Sequence, residues 1–142
     1  MLKSLSEISF LQVLPPEEIA SLIPYITTRH FEPGETVFQQ GEPGLELFFI
    51  LQGKVDVSRG SGVGGTTIAV LGPGDTFGEM ALVSDQPRTA TVKAVEPVDV
   101  FCLGKAEFVE LLKRNAAMQE ASRRIVIERL QGMSEKDESF RA

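Results

Sequence analysis

The amino-acid sequence predicts an α+β protein, in which an antiparallel β-roll of the double-stranded β-helix or jelly-roll type is flanked by N-terminal helices and a C-terminal helix. Near both ends of the chain, apolar residues recur at spacings of three and four, which is typical of amphipathic helices. Between Phe31 and Leu103 the chain changes to short β-branched and aromatic runs punctuated by glycine, which is typical of strands joined by turns.

The N-terminal segment predicts two short helices. Its apolar residues at helical spacing are Leu5, Ile8 and Leu11, followed by Ile19, Leu22, Ile23 and Ile26. Pro15 and Pro16 separate the two groups. Pro16 is suited to open the second helix, because its fixed φ matches the first helical position and its missing N–H is not needed there.

The β-region contains six candidate strands, with the sequences "TVF", "LFFILQG", "KVDVSR", "TTIAVLG", "TATVKAV" and "VDVFCL". Pro-Gly pairs at 33–34, 43–44 and 73–74 predict type II turns, because proline presets the first turn position and glycine accepts the positive φ of the second. Two of these turns lie in similar segments, "EPGETVF" and "GPGDTFG". We therefore expect structurally similar corners in a two-layered roll.

The pattern becomes helical again after Leu103. The segment "KAEFVELLKRN" predicts one helix, and "AAMQEASRRIVIERLQGM" predicts a closing helix that ends near Gly132. The apolar stripe of the closing helix consists of Met118, Ala121, Ile125 and Leu130. We expect one domain over residues 1–132 and a disordered tail over residues 133–142.

Composition limits the possible partners. The chain has 142 residues, of which 42% are hydrophobic, enough for a core without disulfides. Its 14 Lys and Arg against 20 Asp and Glu give a net charge of −6, which argues against nucleic acid as a partner. Because the net charge repels anions, a bound anion would have to be held by a few residues of a specific site.

The location of the protein is also indicated by composition. Cys102 is the single cysteine, and no charged, apolar leader opens the chain. No apolar run reaches the roughly 18 residues that a membrane helix needs. These features predict a cytoplasmic protein that makes no membrane contact of its own.

The stretch "FGEMALVSDQPRTATV", residues 77–92, contains residues that core packing does not require. Gly78, Glu79, Arg88 and Thr89 stand among apolar neighbours. By residue type alone, Arg88 could form a surface ion pair with Asp85 or Glu79, and Gly78 could be a turn glycine. The residues alone leave these alternatives open.

The order of helices, β-roll and closing helix, together with "FGEMAL…PRTATV" and "GEPGLELFFILQGKVDV", resembles the cyclic nucleotide-binding domain family. The resemblance covers about Leu5 to Leu130. It implies a non-enzymatic regulatory sensor of a cyclic nucleoside monophosphate, with cAMP favoured over cGMP, that signals through movement of the closing helix. Residues 77–92 correspond to the phosphate-binding cassette of the family.

The resemblance also implies the roles of the cassette residues. Gly78 would allow close approach of the backbone, and the N–H groups of a helical turn that includes Met80 and Ala81 would face the phosphate. Arg88 would supply the countercharge, and Glu79 would accept the ribose 2′-hydroxyl. The amides of Thr89 and Ala90 would also reach the phosphate, and the Thr89 hydroxyl could accept a hydrogen bond from the guanine amino group.

The base is expected to lie against an apolar wall with Val57, Ile68 and Leu71 as candidates. The closing helix, Ala117 to Gln131, would cover it as a lid. Arg129, or alternatively Arg124, would reach the base. The alternative is a helix that is permanently packed or used for dimerisation.

Two other functions would make different demands on the sequence. A cupin-type enzyme would need several metal-binding histidines, whereas the chain has only His30, so we expect no metal and no catalytic residue. His30 is interpreted as structural or solvent-facing, and Cys102 as a small buried side chain. A degenerate fold that serves protein contacts without nucleotide is the alternative function. No helix-turn-helix follows the closing helix, and an output domain in a larger protein or a homodimer stays open.

Overall fold

The computed structural model describes residues 2–8, 11–60, 66–78, 87–124 and 127. Helices lie at both ends of this part of the chain. They are α1 (Leu2–Ser6), α2 (Pro16–Leu22), a 3-10 turn (Ile23–Tyr25), α3 (Lys105–Arg114) and α4 (residues 116–124). None of these described helices has both the length and the apolar character needed to cross a membrane.

The described strands form two antiparallel sheets of four strands each. The strands are β1 (Ile26–Phe31), β2 (Thr36–Phe38), β3 (Glu46–Gln52), β4 (Val55–Arg59), β5 (Thr66–Leu71), β6 (Thr76–Phe77), β7 (Thr91–Ala94) and β8 (Val98–Gly104). The first sheet has the order β1-β8-β3-β6, and the second has the order β2-β7-β4-β5. This arrangement confirms the predicted α+β fold with a β-roll.

The first sheet lies between two apolar layers, because successive side chains of a strand point to opposite faces. In β3, Leu47 and Phe49 pack in a helical core. Phe48 and Ile50 pack in an inter-sheet core, between the first sheet and the second. Strand β8 divides its side chains in the same way between the two cores. The apolar run "LFFIL" is therefore explained by a strand that is buried on both faces.

The break between α3 and α4 occurs at Asn115, whose backbone is extended with φ −142° and ψ 103°. Its Oδ1 accepts a hydrogen bond from the Met118 N–H at 3.1 Å, which caps the start of α4. Met118 is fully buried in the helical core, and Ala121 packs against that core. Ser122 is also buried, which the apolar pattern did not predict.

The rest of the predicted closing segment lies outside the described residues. This applies to Ile125 and Leu130 of the stripe, to the predicted stop at Gly132 and to the predicted tail over 133–142. These remain predictions.

Two of the three predicted Pro-Gly turns are confirmed. Gly34 and Gly74 both have a φ of +89°. The third prediction is wrong, because Gly44 is not among the glycines with positive φ, whereas Gly41 is, at +93°. The third turn therefore lies at Gln39–Glu42, without a proline. Its shared feature with the other two is a glycine followed by an acidic residue, in the sequences "EPGE", "QQGE" and "GPGD".

One boundary was also predicted wrongly, and two strands were missed. Ile26 belongs to β1 and pairs with Leu103, whereas its spacing from Leu22 and Ile23 had assigned it to a helix. It packs against the same helical core as those residues, so the helical spacing continues into the strand. Strand β1 was not among the six candidate strands, because its residues 27–30 are exposed and form no apolar run. Strand β6 was missed because it contains only Thr76 and Phe77.

The interpretations of His30 and Cys102 are supported. His30 is exposed on β1, with Nδ1 2.7 Å from Asp99 Oδ1 and Nε2 3.2 Å from Glu32 Oε1. These two carboxylates, Asp99 first, raise the pKa of His30 above its ordinary value. Cys102 is buried in the inter-sheet core, and burial raises the pKa of its thiol to about 11. Such a thiol is not a nucleophile at neutral pH.

Candidate functional site

The Arg88 side chain is buried, with 5% of its surface exposed. Its Nη1 donates a hydrogen bond to the Gly78 carbonyl at 2.7 Å, and its Nη2 donates to the Glu46 carbonyl at 2.7 Å. The guanidinium carbon lies 4.0 Å from the centroid of the Phe38 ring. The alternative interpretation of Arg88 as a surface side chain is therefore wrong: the residue is fixed by backbone carbonyls and an aromatic face.

Gly78 makes room for this guanidinium. Its φ is +89°, in the left-handed region that favours glycine. A Cβ at this position would lie 2.8 Å from Arg88 Nη1 and 3.3 Å from both the Glu46 carbonyl oxygen and Phe48 Cδ2. From the sequence, we expected the space beside Gly78 to be occupied by the ligand. In the structure the Arg88 side chain occupies that side of the glycine.

The backbone of Arg88 is held as firmly as its side chain. The Arg88 N–H donates to the Glu42 carbonyl at 2.7 Å, and the Gly41 N–H donates to the Arg88 carbonyl at 2.8 Å. Three residues later, Thr91 Oγ1 accepts a hydrogen bond from the Gln40 N–H at 3.0 Å. The turn at Gln39–Glu42 therefore contacts the cassette segment at Arg88 and again at Thr91.

A small apolar cluster follows Arg88 in the chain. Ala90 is buried together with Ile68, and Val57 packs against both. The pairing of β4 with β5 skips Ile68, since Val57 pairs with Ala69 and Ser58 with Thr67. Leu71 is half-buried and packs against the inter-sheet core instead. The structure thus brings together two of the three residues predicted for the apolar wall, Val57 and Ile68.

The structure does not test the roles predicted for the other site residues. Thr89 is half-buried. Arg124 is exposed on α4, and its Nη2 lies 4.0 Å from Glu120 Oε1 on the same helix. Glu79, Met80, Ala81 and Arg129 lie outside the described residues. The roles expected for all six remain predictions.

Sequence reasoning missed three parts of the site: the ring of Phe38, the carbonyl of Glu46 and the turn at Gln39–Glu42. A carbonyl contact leaves no trace in residue type, and Phe38 looks like any strand aromatic. The turn had a usable signal, because "QQGE" matches "EPGE" and "GPGD" in its last two positions.

The fold and the site define a class of protein: a β-roll with a buried arginine whose guanidinium packs against a glycine. The family described as "Cyclic nucleotide-binding domain" matches residues 28–115, which include α3 and both sheets except the first two residues of β1. The chain belongs to the cyclic nucleotide-binding domain family.

Two relatives show how this domain is used elsewhere. A cAMP-dependent protein kinase regulatory subunit of Colletotrichum orbiculare is 35% identical over 76% of this chain and 27% of its own length. The cyclic AMP receptor protein of Thermus thermophilus is 36% identical over 71% of this chain and 47% of its own length. The chain therefore matches less than half of the length of each of these proteins.

Solved structures agree in fold. The cAMP-bound protein PfPKA-R superposes with a TM-score of 0.85 at 26% identity, covering 94% of this chain and 45% of that one. A regulatory subunit of a cAMP-independent protein kinase A from Trypanosoma cruzi, bound to guanosine, has a TM-score of 0.75 at 26% identity and covers 83% of this chain and 41% of that one. The same fold is thus solved with a cyclic nucleotide and with a nucleoside.

Proposed function

We propose that this domain binds a cyclic nucleoside monophosphate, cAMP in preference to cGMP, as a regulatory ligand. The observation that carries the proposal is the Arg88 guanidinium, which is buried beside Gly78 and bonded to two neutral carbonyl oxygens. These bonds orient the cation. In a chain with net charge −6, a buried and oriented guanidinium is the kind of local device that a phosphate requires.

The apolar cluster near Arg88 supports a ligand that combines charge with a flat base. Ala90, two residues after Arg88 in the chain, forms an apolar cluster with Ile68, and Val57 packs against this cluster. The cAMP preference is supported by the names of similar proteins, which include a cyclic AMP receptor protein and a cAMP-bound structure. Since guanosine carries no phosphate, the guanosine-bound relative makes a nucleoside the competing ligand class.

Replacement of Arg88 tests the proposal. We expect Arg88→Ala to weaken cAMP binding by roughly 30-fold to several thousand-fold, since truncating one partner of a desolvated charge pair costs roughly 2–5 kcal/mol. Arg88→Lys should recover part of the affinity, because it keeps the charge but not the planar fork. Isothermal titration calorimetry of both variants against cAMP measures this.

Adenosine is the matched control, because it lacks the phosphate. Its affinity should change little in Arg88→Ala. Arg88→Ala also removes the two hydrogen bonds that the guanidinium makes, which predicts a stability cost of about 1.5–3 kcal/mol for each bond. The titrations should therefore be carried out at a temperature well below the melting temperature of the variant. Binding of cAMP within threefold of the parent protein would contradict the proposal.

Glu79 is proposed to accept the ribose 2′-hydroxyl, by its position in the cassette. We expect 2′-deoxy-cAMP to bind the parent protein less tightly than cAMP, because an unpaired buried acceptor costs roughly 1–3 kcal/mol and more when it is charged. In Glu79→Ala, cAMP and its deoxy analogue should bind about equally. Equal competition by the two nucleotides for the parent protein would remove Glu79 from ribose recognition.

The proposed output is movement of the C-terminal helix, with Arg124 or Arg129 reaching the base. A degenerate domain that serves protein contacts without nucleotide is the alternative function. It is favoured if the purified parent protein binds neither cAMP nor cGMP in the calorimetric experiment. A metal is not part of the proposed site.

A further inference from the structure

Three turns in the described chain have the same hydrogen-bond pattern, although their sequences differ. They are Glu32–Glu35, Gln39–Glu42 and Gly72–Asp75. In each, the N–H of the last residue donates to the carbonyl of the first at 3.0–3.1 Å. The carboxylate of the last residue accepts from the N–H of the first, at 2.7, 2.6 and 2.9 Å respectively. The third residue is a glycine with a φ of +89°, +93° or +89°.

Each turn holds one residue of another segment by a pair of backbone bonds. The turn glycine donates its N–H to the carbonyl of the held residue, and the N–H of that residue donates to the carbonyl of the last turn residue. The turn at Glu32–Glu35 holds Ala94, and the turn at Gly72–Asp75 holds Ile50. The turn at Gln39–Glu42 holds Arg88, with distances of 2.8 and 2.7 Å.

The turn at Gln39–Glu42 makes two further hydrogen bonds, both through Gln40. The Gln40 N–H donates to Thr91 Oγ1 at 3.0 Å, so the same turn contacts the cassette segment at two points. Gln40 Oε1 also accepts from the Gly60 N–H at 3.0 Å, at the end of β4. The segment with the Thr89 and Ala90 amides, which are expected to face a phosphate, lies between the two held residues.

We propose that Gly41 and Glu42 are positioning residues for Arg88 and hence determinants of affinity for a phosphate-bearing ligand. Gly41 supplies the positive φ that directs its N–H to the Arg88 carbonyl. The Glu42 carboxylate closes the turn on the Gln39 N–H and so fixes the carbonyl that accepts from Arg88. Neither residue needs to contact the ligand. The ligand part of this inference rests on the proposed function.

The chain supplies its own control, because the turn at Glu32–Glu35 has the same chemistry but holds Ala94 instead of Arg88. Glu42→Ala and Glu35→Ala each remove one exposed carboxylate, one turn bond and one negative charge. They should therefore cost similar stability in a thermal melt. We expect Glu42→Ala to weaken cAMP binding by about fivefold to tenfold, the equivalent of losing one capping bond, and Glu35→Ala to leave it within about twofold.

Glu42→Gln separates positioning from charge. It removes the same negative charge as Glu42→Ala but keeps an acceptor oxygen for the Gln39 N–H. We expect Glu42→Gln to restore most of the affinity. If the two Glu42 variants lose affinity equally, the acceptor oxygen for the Gln39 N–H does not determine the affinity and the proposal is wrong.

A measurement on the ligand-free protein tests the same geometry without the proposed function. Amide hydrogen exchange by NMR should show faster exchange at the Arg88 N–H in Glu42→Ala and an unchanged rate there in Glu35→Ala. The Ala94 N–H should show the opposite response. If the parent protein binds no cyclic nucleotide, the proposed function fails, and this comparison still decides whether the turn holds Arg88. Unchanged Arg88 exchange in Glu42→Ala, or equal cAMP affinity in Glu42→Ala and Glu35→Ala, overturns the inference.

Discussion

Arg88 combines burial with a full positive charge, and its immediate contacts explain how the fold accommodates it. Taking a cation out of water is costly unless hydrogen bonds and favourable faces replace the lost solvent. The carbonyls of Gly78 and Glu46 supply the bonds, and the ring of Phe38 supplies a face at cation–π distance. Because Phe38 and Glu46 belong to strands and Gly78 directly follows β6, the guanidinium is already oriented before a ligand arrives, which lowers the entropy cost of binding.

The contact between Gly78 and Arg88 gives a prediction in the ligand-free protein. We expect Gly78→Ala to destabilise the fold by about 2 kcal/mol more than Gly34→Ala. Both glycines have a φ of +89°, so the backbone strain of about 1–2 kcal/mol is shared. The added Cβ meets nothing within 4 Å at Gly34 but lies 2.8 Å from Arg88 Nη1 at Gly78. Displacing the guanidinium costs about 1.5–3 kcal/mol for a hydrogen bond to a charged group.

A double-mutant cycle by chemical denaturation is the measurement. In the Arg88→Ala background, the extra cost of Gly78→Ala over Gly34→Ala should largely disappear, because the displaced group is gone. An extra cost that persists unchanged in that background would assign the clash to Phe48 or the Glu46 carbonyl instead.

For individual residues of the site, the sequence predicted a role only where the chemistry of the ligand requires a particular residue type. The motif singled out Gly78 and Arg88 because an anion site favours a glycine and an arginine at such positions. It could not reveal that the two residues contact each other, because that contact depends on the register of β3 and β6. Glu46 acts on Arg88 through its carbonyl, which any residue could provide.

Among the elements, β3 connects the site with the C-terminal helices. The Glu46 carbonyl accepts from Arg88, and the neighbouring Leu45 carbonyl accepts from the N–H of Lys105, the first residue of α3, at 2.9 Å. The Glu46 side chain also accepts a hydrogen bond from Arg29 Nη1 on β1 at 3.0 Å. A shift of the Arg88 guanidinium toward a phosphate would therefore act on the strand end that also anchors α3.

The elements were predictable to the extent that their pattern matched a single environment. The β3 run "LFFIL" and the start of α2 at Pro16 follow directly from the sequence. The helix-to-strand boundary before Ile26 does not, because helix α2 and strand β1 contribute to the same helical core. The turn at Gln39–Glu42 was misplaced because proline is a stronger turn signal than the carboxylate bond that actually closes it.

At the scale of the whole molecule, the described helices lie on one side of the first sheet, and α4 shares their core. Met118 and Ser122 of α4 are buried, whereas Arg123 and Arg124 are exposed and lie near Glu120. The first turns of α4 thus agree with the alternative of a packed helix. A lid movement would have to involve the chain that follows Ser122.

Hydrogen exchange with and without cAMP tests this movement. If the closing helix docks over the bound base, protection should rise at residues 122–130 in addition to the cassette, because contacts made only in the docked position shift the helix toward that population. The size of the rise is limited by the difference in ligand affinity between the two positions. The protection of residues 116–121 should change little, since Met118 is buried in the helical core without ligand.

Arg124→Ala and Arg129→Ala should each be compared with Arg123→Ala, the neighbouring exposed arginine that is not expected to reach the base. If the increase in protection is lost in Arg124→Ala or in Arg129→Ala but kept in Arg123→Ala, the lost arginine is the residue that contacts the base. Protection that increases only in the cassette would mean that the helix is not the moving part.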